Sequence, residues 1–428
     1  MPERWSLSMA LAKKPSIRYK IRKPSGESDR MAAVNYSLII LKPGRETALR
    51  RGHPWLFSGA VASVEGNPEP GDVVKAISHA GASVALGFFN PRTDILFRSL
   101  TNNTSAVIDR AFWTNRICGA LELRRRVVPP GTSACRLINA EGDGMPGLIV
   151  DRYDTCLVIS LDTVGMERCR PVILEILRQE LSPVCIYERS ESRARRREGL
   201  PERIGPAWGK ELPDLVEMTE NGLSFAVDLR SGQKTGFFLD QRANRERLGA
   251  LSRGAAVLNC FSYTGAFSVY CIQGGAARAV SVEASAAANE IARRNLDRNG
   301  FSHHDHPIVQ TDVFAYLRET KESYDLIILD PPAFAKTAKD ISGAARGYRE
   351  INLQAIRHLR DGGMLATFSC SNPINGILFE KIVLDALRDA GRTAQLLAVL
   401  GPGPDHPVNL AHSEGRYLKG LLLALFSQ

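Results

Sequence analysis

The spacing of apolar residues along the chain changes at about residue 213, and each side of that point predicts a different architecture. From Tyr36 onward, short apolar runs recur about every ten residues between turn signals such as Pro68–Asp72. That spacing is typical of a small β-barrel. We expect a barrel over residues 36–105, with a strand at 38–41 and a turn at 42–45 that opens a short helix.

Residues 106–212 predict a helix followed by a small α/β unit. Apolar residues at 117, 120, 121 and 123 recur at helical spacing, so a helix is expected from Ala111 to Val127, ended by Pro129-Pro130-Gly131. The runs at 148–150 and 157–161 then predict a hairpin, followed by a helix at 168–181 and a strand at 184–187. The charged run at 193–198 is interpreted as a solvated surface, with contact to nucleic acid as the alternative.

From residue 213 the pattern becomes one of strands separated by helices, which is typical of a doubly wound parallel sheet. The predicted strands are 257–259, 279–283, 308–310, 324–329 and 363–369, with helices at 286–299 and 348–360. Ligands of such sheets bind outside the carboxyl ends of the strands. The sequence therefore predicts an α/β protein whose binding crevice lies in the C-terminal part.

Two of these predicted strands end in residues that carry chemistry. Asp330 follows the apolar run 326–329, and Cys370 follows the run 364–368. An acid that hydrogen-bonds a base edge, beside a thiol that adds to the ring, suggests covalent chemistry on a pyrimidine. The alternative for Cys370 is a small buried core residue, which is the commonest fate of a free cysteine.

The neighbouring strands predict a site for a nucleoside. Gly265, in the turn 260–268, lets the backbone pass close to a ligand before a helix starts. Glu283 ends the next strand, where an acid takes ribose hydroxyls, and Asp312 ends the third, where it can accept from an exocyclic amine. The turn is not G-x-G-x-x-G, so S-adenosylmethionine is favoured over NAD. Taken singly, each acid can also be a helix cap.

Charge adds little to this picture. The net charge is +9, but residues 1–30 hold eight basic and three acidic side chains, and 8 − 3 leaves +5 of that excess in this segment. We expect residues 1–35 to be a disordered basic arm, or sequence upstream of the true start. The remaining chain is only mildly basic, so charge by itself indicates nucleic acid weakly.

Composition excludes several classes of protein. No apolar run reaches the roughly 20 residues of a membrane span, and the N-terminus has no apolar signal-peptide core. The eight cysteines are scattered without a C-x-x-C pair, which argues against a zinc site and against a disulfide framework. We therefore expect a cytoplasmic protein without a metal, and at this length one with two or three domains.

Motifs spread along the chain carry a family resemblance. They lie at 51–58 in the barrel, at 142–148 in the middle unit, and at 233–242, 260–268, 330–334, 369–371, 405–407 and 417–420 beyond it. In combination they resemble the bacterial 23S rRNA cytosine-5 methyltransferases, a class I S-adenosylmethionine-dependent family with an N-terminal PUA domain. The resemblance covers nearly the whole chain from residue 36.

The resemblance implies a PUA domain over 36–105, a small α/β linker domain over 106–212 and a Rossmann-like catalytic domain over 213–428. It implies a base site made of Asp330 and Cys370. It also implies a cofactor site made of Phe261, Tyr263, Gly265, Glu283 and Asp312. Residues 230–245 are expected to form a hairpin and the start of a helix beside the cofactor. Ribosomal RNA is the implied partner, and a homodimer is left open.

The implied reaction is methylation of a cytosine at C5. Cys370 would add to C6, and Asp330 would hydrogen-bond N3 or the amino group. Related two-cysteine enzymes carry a second thiol after the Pro of the acid motif, but this chain has Ala333 there. The group that removes the C5 proton is therefore not identified.

Three alternatives stay open. Residues 369–373 also resemble the Ser-Cys-Asn-Pro element of uracil-5 methyltransferases, which use the same thiol addition. A purine-nitrogen methyltransferase would share the cofactor and need no thiol. A ribosome-assembly protein that binds RNA without catalysis is the alternative from another class, and the intact Glu283, Asp312, Asp330 and Cys370 argue against it.

Overall fold

The structure, a computed structural model, describes residues 35–427. The predicted basic arm at 1–35 thus lies outside the described residues, apart from Asn35. Residues from Tyr36 onward belong to one compact unit. The domain boundaries near 105 and 212 remain predictions.

The N-terminal part forms a six-stranded sheet. Its elements are β1 (Leu38–Leu41), α1 (Thr47–Arg50), β2 (Trp55–Phe57), β3 (Val61–Glu65), β4 (Val73–Ile77), β5 (Ser83–Phe89) and β6 (Ile95–Thr101). The strand order is β2-β6-β5-β4-β1-β3, and β1 and β4 form its parallel pair. Ile39, Leu41 and Phe97 are fully buried in its core, as the apolar pattern predicts.

The middle part forms a five-stranded sheet flanked by two long helices. Its elements are α2 (Arg110–Val127), β7 (Ala134–Asn139), β8 (Leu148–Tyr153), β9 (Cys156–Leu161), α3 (Val164–Leu181), β10 (Cys185–Ser190), α4 (Arg193–Arg197) and β11 (Arg203–Gly209). The predicted hairpin is β8 and β9, which pair antiparallel. The helix predicted at 168–181 begins earlier because the Thr163 side chain caps the amide of Met166.

The interpretation of the charged run 193–198 as a solvated surface is wrong for two of its residues. Arg195 is fully buried, and its guanidinium donates to the Leu161 carbonyl and to Glu167. Glu198 is also buried and accepts hydrogen bonds from Asn90, which follows β5, and from Arg98 of β6. The run therefore joins the middle sheet to the first one.

A hairpin and a helix lead into the last sheet. They are β12 (Val216–Glu220), β13 (Leu223–Val227) and α5 (Arg242–Ala250). The hairpin predicted within 230–245 is wrong, because the Asp228 carboxylate accepts from the amides of Arg230 and Ser231 and so folds the chain into a turn. The helix start predicted there is confirmed, since α5 begins at Arg242.

The C-terminal part is a doubly wound, seven-stranded sheet, as predicted. Its elements are β14 (Ala256–Cys260), α6 (Ala266–Gln273), β15 (Arg278–Glu283), α7 (Ala286–Arg298), β16 (Ile308–Gln310), α8 (Val313–Glu319), β17 (Tyr324–Leu329), α9 (Ile341–Arg357), β18 (Leu359–Ser369), α10 (Gly376–Asp389), β19 (Arg392–Leu400) and β20 (Lys419–Ser427). The order is β16-β15-β14-β17-β18-β20-β19, and β20 runs antiparallel to both neighbours. The order reverses between β14 and β17, which is where such sheets bind ligands.

The loop between β19 and β20 ties the last sheet to the middle part through Asp405. The Asp405 carboxylate is fully buried, binds Arg242 at 2.6 Å and accepts from the Arg136 amide at 3.0 Å. The Asp405 carbonyl accepts from Arg124 of α2. Burial opposes ionisation of this carboxyl, but the neighbouring His406 and Arg242 lower its pKa well below the usual range.

We expect Asp405→Ala to destabilise the protein by about 3–5 kcal/mol, because it leaves the buried Arg242 guanidinium without its counter-charge. Urea denaturation followed by circular dichroism measures this. The matched control is Glu290→Ala, which removes an exposed acid paired within one helix and should leave the midpoint unchanged. Equal midpoints for the two variants would contradict a structural role for Asp405.

Candidate active site

The carboxyl ends of β14, β15, β17 and β18 open into one cavity of about 620 Å³. Its lining is Gln233, Lys234, Phe237, Phe238, Asp240, Gln241, Arg245, Phe261, Ser262, Tyr263, Thr264, Ala266, Phe267, Glu283, Ala284, Asp330, Pro331, Pro332, Ala333, Cys370 and Leu418. The structure thus brings together the predicted site residues Phe261, Tyr263, Glu283, Asp330 and Cys370. Gly265 and Asp312 are not among the lining residues.

The turn after β14 is built from residues in the left-handed backbone region. Phe261 has a φ of 58°, Tyr263 of 47° and Gly265 of 78°. A Cβ on Gly265 would lie 3.1 Å from the Cβ of Ala292 on α7. Gly265 is therefore needed for the turn and for close helix packing, while strain at Phe261 and Tyr263 is typical of a ligand-binding turn.

Glu283 is held rigidly at the cavity wall. One carboxylate oxygen accepts from the Tyr263 amide at 3.0 Å, and the other accepts from the Ser285 amide at 2.9 Å. Nearby, the buried hydroxyls of Ser262 and Thr264 have no hydrogen-bond partner among the described residues. Buried polar atoms without partners point to a ligand that completes them. This wall fits a ligand with hydroxyl and amino groups.

Asp312 follows β16, the strand end where it was predicted, but it does not line the cavity. It is exposed, and its Oδ1 accepts from the Ala315 amide at 3.0 Å as the N-cap of α8. In the structure, Asp312 therefore makes the contact expected of a helix cap, which was the alternative for this acid. Its role toward an exocyclic amine stays a prediction.

Asp330 follows β17, and its carboxyl lies near the side chains of Gln241 and Asp240. Gln241 Nε2 donates to Asp330 Oδ2 at 3.0 Å. Burial, followed by the nearby Asp240 carboxylate, raises the pKa of Asp330 to about 6. A carboxyl with that pKa can both hold and release a proton near neutral pH.

Cys370 follows β18 directly and lines the same cavity. Its Sγ is 4.0 Å from the Pro331 carbonyl oxygen. Burial, and then the Asp330 carboxylate, raise the pKa of the thiol, so Cys370 is protonated until a partner takes its proton. Lys419 on β20 is a second cation near the thiol, besides Lys234. Burial lowers the pKa of Lys419 to about 8, and its ammonium donates to the Ser371 carbonyl at 2.8 Å.

Sequence reasoning gave no role to an ion pair at the cavity, in which Asp240 is buried and Lys234 is partly exposed. Lys234 Nζ lies 2.7 Å from Asp240 Oδ2, which also accepts from the Tyr417 hydroxyl at 2.5 Å. Burial opposes ionisation of Asp240, but Lys234 and His406 lower its pKa well below the usual range. Lys234 also has a φ of 55°, a strained value for a non-glycine residue. In the sequence, the motif at 233–242 marks this segment through the family resemblance, but it gives no role to its individual residues.

The described part of the chain has no candidate metal site, no disulfide and no candidate membrane-spanning helix. Residues 35–427 contain no cluster of His, Cys, Asp and Glu side chains that could hold a metal ion. All eight cysteines lie within this range and are free thiols. Over the same range, no helix is both long and apolar enough to cross a membrane.

Comparisons with known proteins agree with this fold. A family described as PUA-like domains matches residues 39–102, and one described as S-adenosylmethionine-dependent methyltransferases matches residues 200–404. Fold and site thus define a class I S-adenosylmethionine-dependent methyltransferase that carries a PUA-like domain. The residues at the cavity wall fit that cofactor, since Glu283 can accept from its hydroxyls and Ser262 and Thr264 offer unpaired polar atoms.

Curated relatives narrow the class to a family. Ribosomal RNA large subunit methyltransferase I of Aeromonas salmonicida is 43% identical over 390 residues, covering 90% of this chain and 98% of that protein. The protein of the same name from Shewanella amazonensis is 41% identical over 389 residues, with the same coverage. The chain belongs to the ribosomal RNA large subunit methyltransferase I family.

Solved structures share the fold. A protein from Streptococcus mutans assigned as a SAM-dependent methyltransferase has a TM-score of 0.77 at 24% identity, covering 90% of this chain and 99% of that one. A methyltransferase solved in complex with SAH has a TM-score of 0.78 at 23% identity, with the same coverage. The fold is thus shared over nearly the whole described chain.

The electrostatics of the cavity predict how Cys370 reacts. Its alkylation by iodoacetamide should speed up with pH around a midpoint above that of an ordinary thiol, because burial and Asp330 disfavour the thiolate. Asp330→Asn should move this midpoint to lower pH, since it removes a neighbouring negative charge. Quantitative mass spectrometry of the Cys370 peptide measures both. Asp312→Asn, outside the cavity lining, is the control; an unchanged midpoint in Asp330→Asn would contradict this electrostatic arrangement.

Proposed function

We propose that the protein transfers a methyl group from S-adenosylmethionine to C5 of a cytosine in ribosomal RNA, and specifically in 23S RNA. The supporting observation is that Asp330 and Cys370 line the same cavity as Phe261, Tyr263 and Glu283. A group that holds a base, a nucleophile and a cofactor wall thus share one space. The relatives named for methylation of large-subunit RNA support the choice of substrate.

The need for a thiol follows from the chemistry of the base. Cytosine C5 is too weak a nucleophile to take a methyl group directly. When the Cys370 thiolate bonds to C6, C5 becomes the nucleophilic carbon of an enamine. The cofactor, when bound, supplies an electrophilic sulfonium methyl group. Loss of the C5 proton and cleavage of the bond between sulfur and C6 then release the product.

Asp330 is the proposed proton donor for the addition. Because its pKa is about 6, part of the population holds a proton at neutral pH and can donate it to N3 of the base. Lys234 supports the thiolate, since its ammonium lowers the pKa of Cys370 against the effect of burial. Ala333 offers no second thiol, so the C5 proton leaves to another group or to water.

The protonated form of the same carboxyl fits cytosine at N3 and does not fit uracil there. N3 of cytosine carries no hydrogen and accepts from a protonated Asp330, whereas N3 of uracil carries a hydrogen and donates. A raised pKa makes the protonated form available, which is what cytosine requires. The non-catalytic alternative leaves the assembled cavity unexplained.

The remaining predictions concern the setting of the reaction. We propose the cytoplasm, where ribosomal RNA and free thiols coexist, and RNA as the partner of the PUA-like part. A homodimer stays a prediction; the edge strand β19 exposes Leu396, Leu397 and Val399, an apolar row that a second chain would cover.

Cys370→Ala should abolish methyl transfer, by at least about 10³-fold, while the affinity for S-adenosylmethionine stays within about threefold, because the thiol attacks the base and not the cofactor. Transfer of tritiated methyl to ribosomal RNA and calorimetric titration with the cofactor measure the two. Cys118→Ala, on α2 and outside the cavity lining, is the control and should keep full activity.

Nucleoside mass spectrometry of the product should show 5-methylcytidine. Appearance of 5-methyluridine would replace the proposal with the uracil alternative. Full activity of Cys370→Ala, with a methylated purine as product, would reject the thiol mechanism.

A further inference from the structure

A hydrogen-bond relay, made of the side-chain amides of Asn244 and Gln241, links the Gly401 carbonyl to the Asp330 carboxyl. Asn244 Nδ2 donates to the Gly401 carbonyl at 3.0 Å and to Gln241 Oε1 at 2.6 Å. Gln241 Nε2 in turn donates to Asp330 Oδ2 at 3.0 Å. Gln241 is 1% exposed and Asn244 is 4% exposed, so water does not compete for these contacts.

The Gly401 carbonyl sets the direction of every hydrogen bond in this relay. A backbone carbonyl can only accept, so Asn244 must present its NH₂ group to Gly401. The second hydrogen of that group occupies Gln241 Oε1, and Gln241 must then present its own NH₂ group to Asp330. Asp330 Oδ2 is therefore held as an acceptor, and the neutral carboxyl carries its proton on Oδ1.

We propose that Asn244 and Gln241 are positioning residues that fix which oxygen of Asp330 carries the proton. The relay leaves Oδ1 as the donor to N3 of the base, and it prevents the proton from settling on Oδ2. This inference rests on the proposed function, because it specifies how Asp330 donates its proton in that reaction.

The charged groups around Asp330 are compatible with such a relay. The Asp240 carboxylate favours the protonated form, while Lys234, Gln241 and Arg245 favour the ionised one. Cys370 adds a titratable thiol on the neighbouring strand end. Because these influences oppose one another, the carboxyl holds its proton in part of the population, and an uncharged amide orients it without adding charge.

Two substitutions at position 241 separate orientation from packing. Gln241→Leu removes the donor and should lower kcat by about 10- to 100-fold with KM for RNA and cofactor within about threefold. Gln241→Glu restores a donor when it is protonated, since its hydroxyl can donate to Oδ2 while its other oxygen still accepts from Asn244. The activity of Gln241→Glu relative to wild type should therefore rise as pH falls, and that of Gln241→Leu should stay low and flat.

Single-turnover rates between pH 5 and 9 on ribosomal RNA measure these profiles. Gln179→Leu, at the exposed end of α3, is the control and should follow wild type at every pH. Wild-type kcat in Gln241→Leu, or a flat ratio in Gln241→Glu, would overturn the relay. If Gln241→Leu does not fold, as melting temperature shows, the profile of Gln241→Glu decides alone.

Failure of the relay and failure of the proposed function give different results. If the wild-type product is 5-methylcytidine and Gln241→Leu keeps its kcat, the relay alone is rejected. If the product is another nucleoside, the proposed function is rejected and the relay with it.

Discussion

The site depends on one constraint of a parallel sheet, which is that the carboxyl ends of neighbouring strands emerge at the same edge. The register pairs Cys260 with Leu329 and Leu329 with Thr367, so β14 and β17 end level and β18 continues to Ser369 at the same edge. The turn after β14, Asp330 and Cys370 consequently border one cavity. Reversal of the strand order beside β14 opens the crevice that a ligand fills.

A second constraint is electrostatic. Removing a carboxyl and a thiol from water favours their neutral forms, and the pKa values of Asp330 and Cys370 are both raised. Lys234 opposes this and is itself balanced by the buried Asp240. The cavity thus contains a proton donor and a nucleophile that requires activation, which are the two functions that addition to a pyrimidine ring needs.

Much of this arrangement could be predicted from the sequence because strand periodicity is local. Asp330, Cys370 and Glu283 end strands, and a doubly wound sheet brings such ends together whatever the loops do. Lys234 and Gln241 could not be assigned roles. Lys234 lies in a turn with a left-handed backbone, and Gln241 meets Asp330, which lies 89 residues further along the chain. The burial of Arg195 and Glu198 was missed for the same reason, since their partners come from distant segments. Asp312 was placed on the right strand end, but its carboxylate caps a helix.

The central claim is that Cys370 bonds to a cytosine held by Asp330, and trapping that bond tests it most directly. Ribosomal RNA transcribed with 5-fluorocytosine cannot lose its C5 substituent as a proton, so the adduct should persist. The account predicts a complex of protein and RNA that survives denaturing electrophoresis, requires S-adenosylmethionine, and yields a nucleotide-modified Cys370 peptide on digestion. No adduct with this RNA, or an adduct on a different residue, would contradict the account.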